Sequence, residues 1–185
     1  WGGGEPTADK SFEKTLLNID QDANPDLYHR VFTNSVSYRK IVEEFLQKGL
    51  IKIITSVDAG TEETFLKVRG RNRIKNVFEN LHKYSRYNPS DVAIKYILTD
   101  ENDNQNDLDQ FVEKCKEYDL LNCCFQISMN FKFEKLSLNQ LFSIAYLMGK
   151  LIKYNVEKVY VDDHIMARFA DLNDDERLKL SEFLN

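Results

Sequence analysis

No stretch of this 185-residue chain approaches about 18 uninterrupted apolar residues, so no segment is expected to cross a membrane as a helix. Cysteine is scarce. Cys115, Cys123 and Cys124 are odd in number and follow no framework spacing, which points to a reducing cytoplasm and away from secretion. Positive charge is also in deficit: 25 Lys plus Arg against 30 Asp plus Glu leave a net charge of −5, which argues against a nucleic-acid surface. Trp1 enters directly on a glycine turn, so no basic or apolar leader marks a signal peptide, and the missing initiator Met fits a truncated chain that begins inside a domain. No linker is long enough to divide the sequence, and 42% hydrophobic residues suffice for one sizeable core, so residues 1–185 are expected to form one domain. The only low-complexity tract is Thr99 to Asp107.

What the chain does contain is an alternation of strand-like and helix-like patterns, the signature of βα units and a parallel sheet. Strands are expected near 27–34, 50–57, 92–98 and 123–130; the run LIKIITSV at 50–57 has the strongest β-branched character. Between them, Ser37 is expected to cap a helix whose stripe is Tyr38, Ile41, Val42, Phe45 and Leu46, stopped by Gly49. Thr61-Glu62-Glu63 reads as an acidic helix start, followed by a helix with Ile74, Val77, Phe78 and Leu81 on one face. Leu108, Phe111, Val112 and Cys115 mark the next helix. Ser137 caps a long one with an expected stripe of Leu141, Phe142, Ala145, Met148 and Ile152. Val156 to Val161 is β-like without an assigned place, and Asn173 with Glu176 forms a capping box for a final helix over 174–184. Periodicity alone leaves an open doubly wound sheet and a barrel equally available.

Several motifs suggest chemistry, and each has a plainer reading beside it. Gly2 to Gly4 allow a tight turn and a close backbone approach to a ligand, and the Glu5 carboxylate behind them can accept charge-assisted hydrogen bonds from an ammonium group; a simple turn is the alternative. Ser56 and Asp58 lie two apart, so they share one side of a strand's C-terminal end, where α/β folds place ligands, unless they only cap the following helix. Arg69 and Arg71 can each make a bidentate pair with a carboxylate. Gln126, Ser128 and Asn130 form a polar row opposite Phe125, Ile127 and Met129; it lines a barrel lumen if the sheet closes, or faces water if the edge is open. Lys95 between Ile94 and Tyr96 is open to either face. Asp100, Asn102 and Asn104 imitate a calcium loop, but Gln105 and Phe111 stand at its glycine and glutamate positions, so a solvated loop is expected. Asp162-Asp163-His164 reads as a surface turn. Cys123 and Cys124 point to opposite faces of a strand, and Cys115 reads as core, so no metal ligands are expected in this chain.

Gly3-Gly4-Glu5-Pro6, the run Ser56-Val57-Asp58-Ala59-Gly60 with its following Arg69-Gly70, and Thr33-Asn34-Ser35 together resemble the radical S-adenosylmethionine (SAM) superfamily. The resemblance implies a partial (β/α)6 TIM-like barrel, N-terminally truncated, with a parallel sheet and outer helices. It also implies that Gly3, Gly4 and Glu5 hold the methionine amino group of SAM, with Asn34, Ser56, Asp58 and Arg69 or Arg71 completing the cofactor site. The family's Thr-Asn-Gly is altered here to Ser35, which puts the left-handed turn at that place in question. By the same resemblance the parent protein is an enzyme that cleaves SAM reductively at a [4Fe–4S] cluster and uses a 5′-deoxyadenosyl radical on a small-molecule or peptide substrate met by Gln126, Ser128 and Asn130. The cluster's CxxxCxxC loop is missing, so this chain alone is expected to be inactive, and its open barrel edge is expected to favour self-association. A non-catalytic α/β module for a nucleotide-like ligand or a protein partner is the alternative. A different barrel enzyme using the triple glycine for phosphate is a third reading, although no P-loop Lys or Ser/Thr follows.

Overall fold

A computed structural model describes residues 4–18, 29–130 and 136–184. The chain enters through a 3₁₀ turn, Pro6–Ala8, and helix α1 (Lys10–Leu17), whose Phe12 and Leu16, one turn apart, are buried. Five βα repeats follow: β1 (His29–Thr33), α2 (Lys40–Gln47), β2 (Ile51–Ser56), α3 (Glu62–Arg69), α4 (Ile74–Ser85), β3 (Val92–Leu98), α5 (Gln105–Glu117), β4 (Cys124–Met129), α6 (Leu138–Lys153), β5 (Val159–Val161), α7 (Asp163–Ala170) and α8 (Asp174–Leu184).

The five strands pair in parallel in the order β1-β2-β3-β4-β5. That order decides between the two architectures the periodicity allowed. Every crossover is right-handed by strong preference, so a sequential order with no reversal places all connecting helices on one face, as in a barrel, whereas a doubly wound sheet reverses and covers both. Burial agrees. Val31, Ile53, Ile94, Tyr96, Phe125 and Ile127 point toward the helices and are buried, while their alternates Arg30, Ile54, Lys95 and Gln126 remain partly or wholly exposed on the opposite, lumen face. The fold is therefore a partial TIM-like barrel, an α/β structure with a parallel sheet and outer helices, as expected.

The differences in detail have physical causes. The 27–34 strand is described over His29–Thr33, with Leu27 and Tyr28 outside the described residues, and those over 50–57 and 123–130 each shorten by one residue at both ends. Helix α2 starts at Lys40 after Arg39, with no side-chain cap, so Ser37 does not cap it; the Arg39 N–H instead donates to the Tyr84 hydroxyl at 2.8 Å. Gly49 does stop that helix with φ 69°. The Ser137 capping box on α6 is present, yet its buried stripe is Leu141, Ile144, Leu147 and Leu151, rotated from the expected one, and Ile152 is 64% exposed. An apolar helix rich on several sides leaves the phase of its stripe underdetermined. The 156–161 run contains β5, whose Val159 and Tyr160 pair with Phe125 and Gln126. Asp162-Asp163-His164 is no surface turn but the entry to α7.

Candidate functional site

The sheet's C-terminal end gathers most of the sequence-predicted residues. Glu5 sits against the end of β1: its Oε1 accepts from the Thr33 hydroxyl at 2.7 Å and the Thr7 N–H at 3.1 Å, and its Oε2 accepts from the Asn34 N–H at 2.6 Å. The turn is fastened from the other side by Arg39, whose Nε donates to the Thr7 carbonyl at 2.9 Å. Thr33 pairs with Thr55 in the ladder, so Glu5 and Ser56 lie at the same end of adjacent strands. Gly4 adopts φ 135°, open only to a residue without a Cβ; Gly3 lies outside the described residues. Ser35 keeps the left-handed turn that its replacement of Gly put in question: its φ is 52°, its hydroxyl shares a 2.7 Å hydrogen bond with Thr55, and Asn80 Nδ2 donates to its carbonyl at 2.9 Å. Buried hydrogen bonds to the turn offset the strain of a Cβ there.

Asp58 plays a different part from the one its parity suggests. It is 3% exposed, with φ 56°, and its Oδ1 accepts the Ile97 N–H at 2.7 Å while Oδ2 pairs with Arg69 Nη2. Burial pushes its carboxyl up to about 6, against the lowering pull of Arg69, of the Ile97 N–H and of Lys95. Both oxygens are engaged, so Asp58 is a tie between β2, β3 and α3. Arg69 Nη2 also donates to the Ser56 carbonyl at 2.6 Å; among the described residues its Nε and Nη1 carry no hydrogen bond. Arg71 is exposed to solvent and apart from this tie.

Behind this lies a network the sequence reading missed. The Thr99–Asp107 tract, expected to be solvated, supplies Asn102 and Asp107, which are 0% and 1% exposed. Asn102 Nδ2 donates to the carbonyls of Asp58 and Ile97 at 2.9 Å each, while Asp107 accepts from the N–H groups of Gly60 and Thr61 at 2.8 and 2.9 Å and from the Tyr96 hydroxyl at 2.8 Å. These side chains replace missing backbone partners in the loops that carry Asp58, Gly60 and Thr61. Only the spacing of Asn104 and Asp107, an N-cap and its N3 residue, was visible beforehand.

On the lumen face, lateral rows run across the sheet. Ser56, Lys95, Gln126 and Tyr160 are ladder partners in sequence, and Ile97 pairs with Ser128 one level nearer the C-terminal end. Lys95 thus faces the lumen. Ser128 is 0% exposed; Asn130 follows the strand and is half-buried. The lower lumen holds a cavity of about 410 Å³ lined by Arg30, Lys52, Asp91, Lys158 and Tyr160 among others.

Fit to the implied cofactors divides in two. A SAM amino group matches the remaining acceptor capacity of Glu5 Oε2, which receives only the Asn34 N–H among the described residues. A [4Fe–4S] cluster finds no counterpart: no group of three or more His, Cys, Asp or Glu among the described residues is placed to hold a metal, Cys115 and Cys123 are buried, and burial pushes the Cys123 thiol up to about 12, away from a ligating thiolate.

Comparison with known proteins bears on the fold and the family. No curated protein sequence matches. The crystal structure of Streptococcus suis SuiB bound to S-adenosylmethionine superposes with a TM-score of 0.69 at 15% identity, over 95% of this chain and 41% of that one, so the chain spans less than half the length of its structural neighbour. No helix among the described residues is long and apolar enough to cross a membrane. The radical SAM superfamily matches residues 1–128, and the chain belongs to that family.

Proposed function

We propose that this chain is the SAM-holding part of a radical SAM enzyme whose cluster ligands come from protein outside it. When bound, the [4Fe–4S] cluster would supply the electron that cleaves SAM and yields a 5′-deoxyadenosyl radical for hydrogen abstraction. The chain's own residues bind and orient. Gly3 and Gly4 let the backbone approach the methionine moiety, Glu5 accepts its ammonium group, and the Nε or Nη1 group of Arg69, neither hydrogen-bonded among the described residues, donates to its carboxylate. Asn34 and Ser56 border the same mouth. Asp58 positions Arg69 and leaves direct cofactor contact to its neighbours, and exposed Arg71 is the less favoured partner. Gln126, Ser128 and Asn130 line the substrate side.

The observation that carries this reading is the placement of Glu5 beside Asn34, at the strand end that Ser56 shares. Calorimetric titration of the chain with SAM tests it. Glu5→Gln removes the negative charge, retains an acceptor oxygen, and should weaken binding by about ten- to a hundredfold, the range for a lost charged hydrogen bond of about 1.5–3 kcal/mol. Because Glu5 also ties its turn to β1, the melting temperature of the variant must be measured in parallel. SAM affinity equal in wild type and a folded Glu5→Gln variant sinks the site. A chain that binds no SAM but does bind other nucleotides would favour the non-catalytic module.

A further inference from the structure

Asp162 occupies the N-cap of α7, where an Asp side chain ordinarily accepts the helix's first free N–H groups; here it makes no such bond. Its carboxylate instead turns to the lumen. It shares strand parity with lumen-facing Tyr160, its backbone N–H donates to the Ile127 carbonyl at 3.1 Å, and its Oδ1 accepts from Gln126 Nε2 at 3.3 Å. The same Gln126 Nε2 donates to the Ser128 hydroxyl at 3.3 Å, so one amide fixes both neighbours. Asp162 Oδ2 is shielded from water and has no hydrogen-bond partner among the described residues. A shielded carboxylate oxygen without a donor is costly, and a helix cap would have supplied one at no expense of sequence. The side chain is thus held away from the available donor and toward the lumen.

We propose that Asp162 is the acceptor for a cationic N–H group, an ammonium or guanidinium, on the substrate, with Gln126 as the positioning residue that aims it. Its place as the successor to Tyr160 sets it at the far side of the lumen from Glu5, with Lys95 and Gln126 in the row between. The radical's site of attack would then lie between the two carboxylates, with the substrate's cation anchored at one and SAM at the other. Lys95, in the row at mid-lumen two strands away, forms no ion pair with Asp162, so it disfavours a second cation at mid-lumen without neutralising the acceptor; Arg30, Lys52 and Lys158 lie lower, around the cavity. This assignment rests on the radical SAM reading for the word substrate, although the amine site itself does not.

The test uses n-butylammonium as probe and 1-butanol as its neutral counterpart, followed by NMR on the 185-residue chain. Butylammonium should produce a saturable shift of the Gln126 side-chain amide that butanol does not, and Asp162→Asn, which keeps an acceptor for Gln126, should weaken that binding by at least about tenfold. The variant should melt no lower than wild type, because it removes a carboxylate charge of which the shielded Oδ2 has no partner among the described residues. Equal binding in Asp162→Asn, equal response to butanol, or no saturable shift in wild type overturns the proposal; the comparison of the two probes in wild type decides it even if the variant fails to fold. SAM titrated in the same samples reads the Gly4 and Asn34 amides. Amine binding without SAM binding leaves the site standing and sinks the proposed function, whereas SAM that displaces butylammonium makes Asp162 part of the cofactor site and overturns the substrate assignment.

Discussion

Gly60→Ala should be among the most damaging single-methyl changes in this chain. Gly60 lies in the loop between β2 and α3, and an added Cβ would sit 1.9 Å from the Asp107 carbonyl oxygen, 2.3 Å from the Phe111 nitrogen and 2.9 Å from the Gln110 carbonyl carbon. All three belong to the backbone of α5, which no side-chain rotation can move aside. Restoring an ordinary 3.4 Å contact requires the loop and helix to part by about 1.5 Å at the closest approach. That separation stretches the Gly60 N–H and Thr61 N–H bonds to the Asp107 carboxylate and disturbs Leu108 and Phe111, both 0% exposed. Overpacking costs about 1–3 kcal/mol and each hydrogen bond lost to a charged group about 1.5–3, so the change should cost about 4 kcal/mol or more, against a total stability of about 5–15. For a chain of this size the melting temperature should fall by about 8–16 °C. Gly149→Ala is the control: it sits in α6 with nothing within 4 Å, and Ala there should stabilise by about 0.5–1 kcal/mol. Thermal and urea denaturation of both variants supplies the measurement. A Gly60→Ala protein melting within a couple of degrees of wild type would show that α5 does not press on this loop as described.

The close approach at Gly60 left no local imprint in the sequence, since its neighbours lie on α5. The strand over 92–98 and the helix stripe of Leu108, Phe111, Val112 and Cys115 could be read because period-two and period-3.6 burial each leave an unambiguous imprint on short amphipathic elements. The α6 stripe could not, because apolar residues on more than one side fit several phases. The barrel could be told from the doubly wound sheet only once strand order was known, since both share the same local pattern. At the site, local signals located residues through their own turns: Glu5 beside its glycines, Ser56 at a strand end, and Thr61 at a helix start, where its hydroxyl accepts the Thr64 N–H at 3.1 Å. Asn102, Asp107 and Asp162 were misread because their partners are 44, 47 and 36 residues away in sequence, at Asp58, Gly60 and Gln126. A polar tract reads as solvated whether or not the fold turns its side chains inward. Asp58 was read correctly as lying at the strand end, but its 3% exposure, which excludes a free carboxylate, is a tertiary fact.

The remaining expectations concern assembly, thiol chemistry and pH. The lumen face exposes Phe32 and Tyr160 at 48% and 60%, so sedimentation at several concentrations should show self-association; a stable monomer with no dye-binding apolar surface would count against it. Alkylation of the folded chain should modify Cys124 alone, since burial raises all three thiols but only Cys124 is partly exposed, and a second modified thiol would contradict that packing. Asp58 makes the most discriminating case, because its ion pair and its burial predict opposite signs. If pairing with Arg69 dominated, the folded carboxyl would titrate below its ordinary 3.8, and stability would be lost as pH fell. Burial instead holds it near 6, so its contribution is fully present below 3.8 and lost as pH rises through 6. A displacement of that size corresponds to about 3 kcal/mol between acid and neutral pH. Asp58→Asn tolerates the left-handed backbone and still accepts the Ile97 N–H without titrating, so the stability of wild type relative to this variant should fall between pH 4 and pH 7 by an amount of that order. A relative stability that is flat or rises over this range would mean that the Arg69 pair outweighs desolvation, and that the tie between β2 and α3 strengthens with pH.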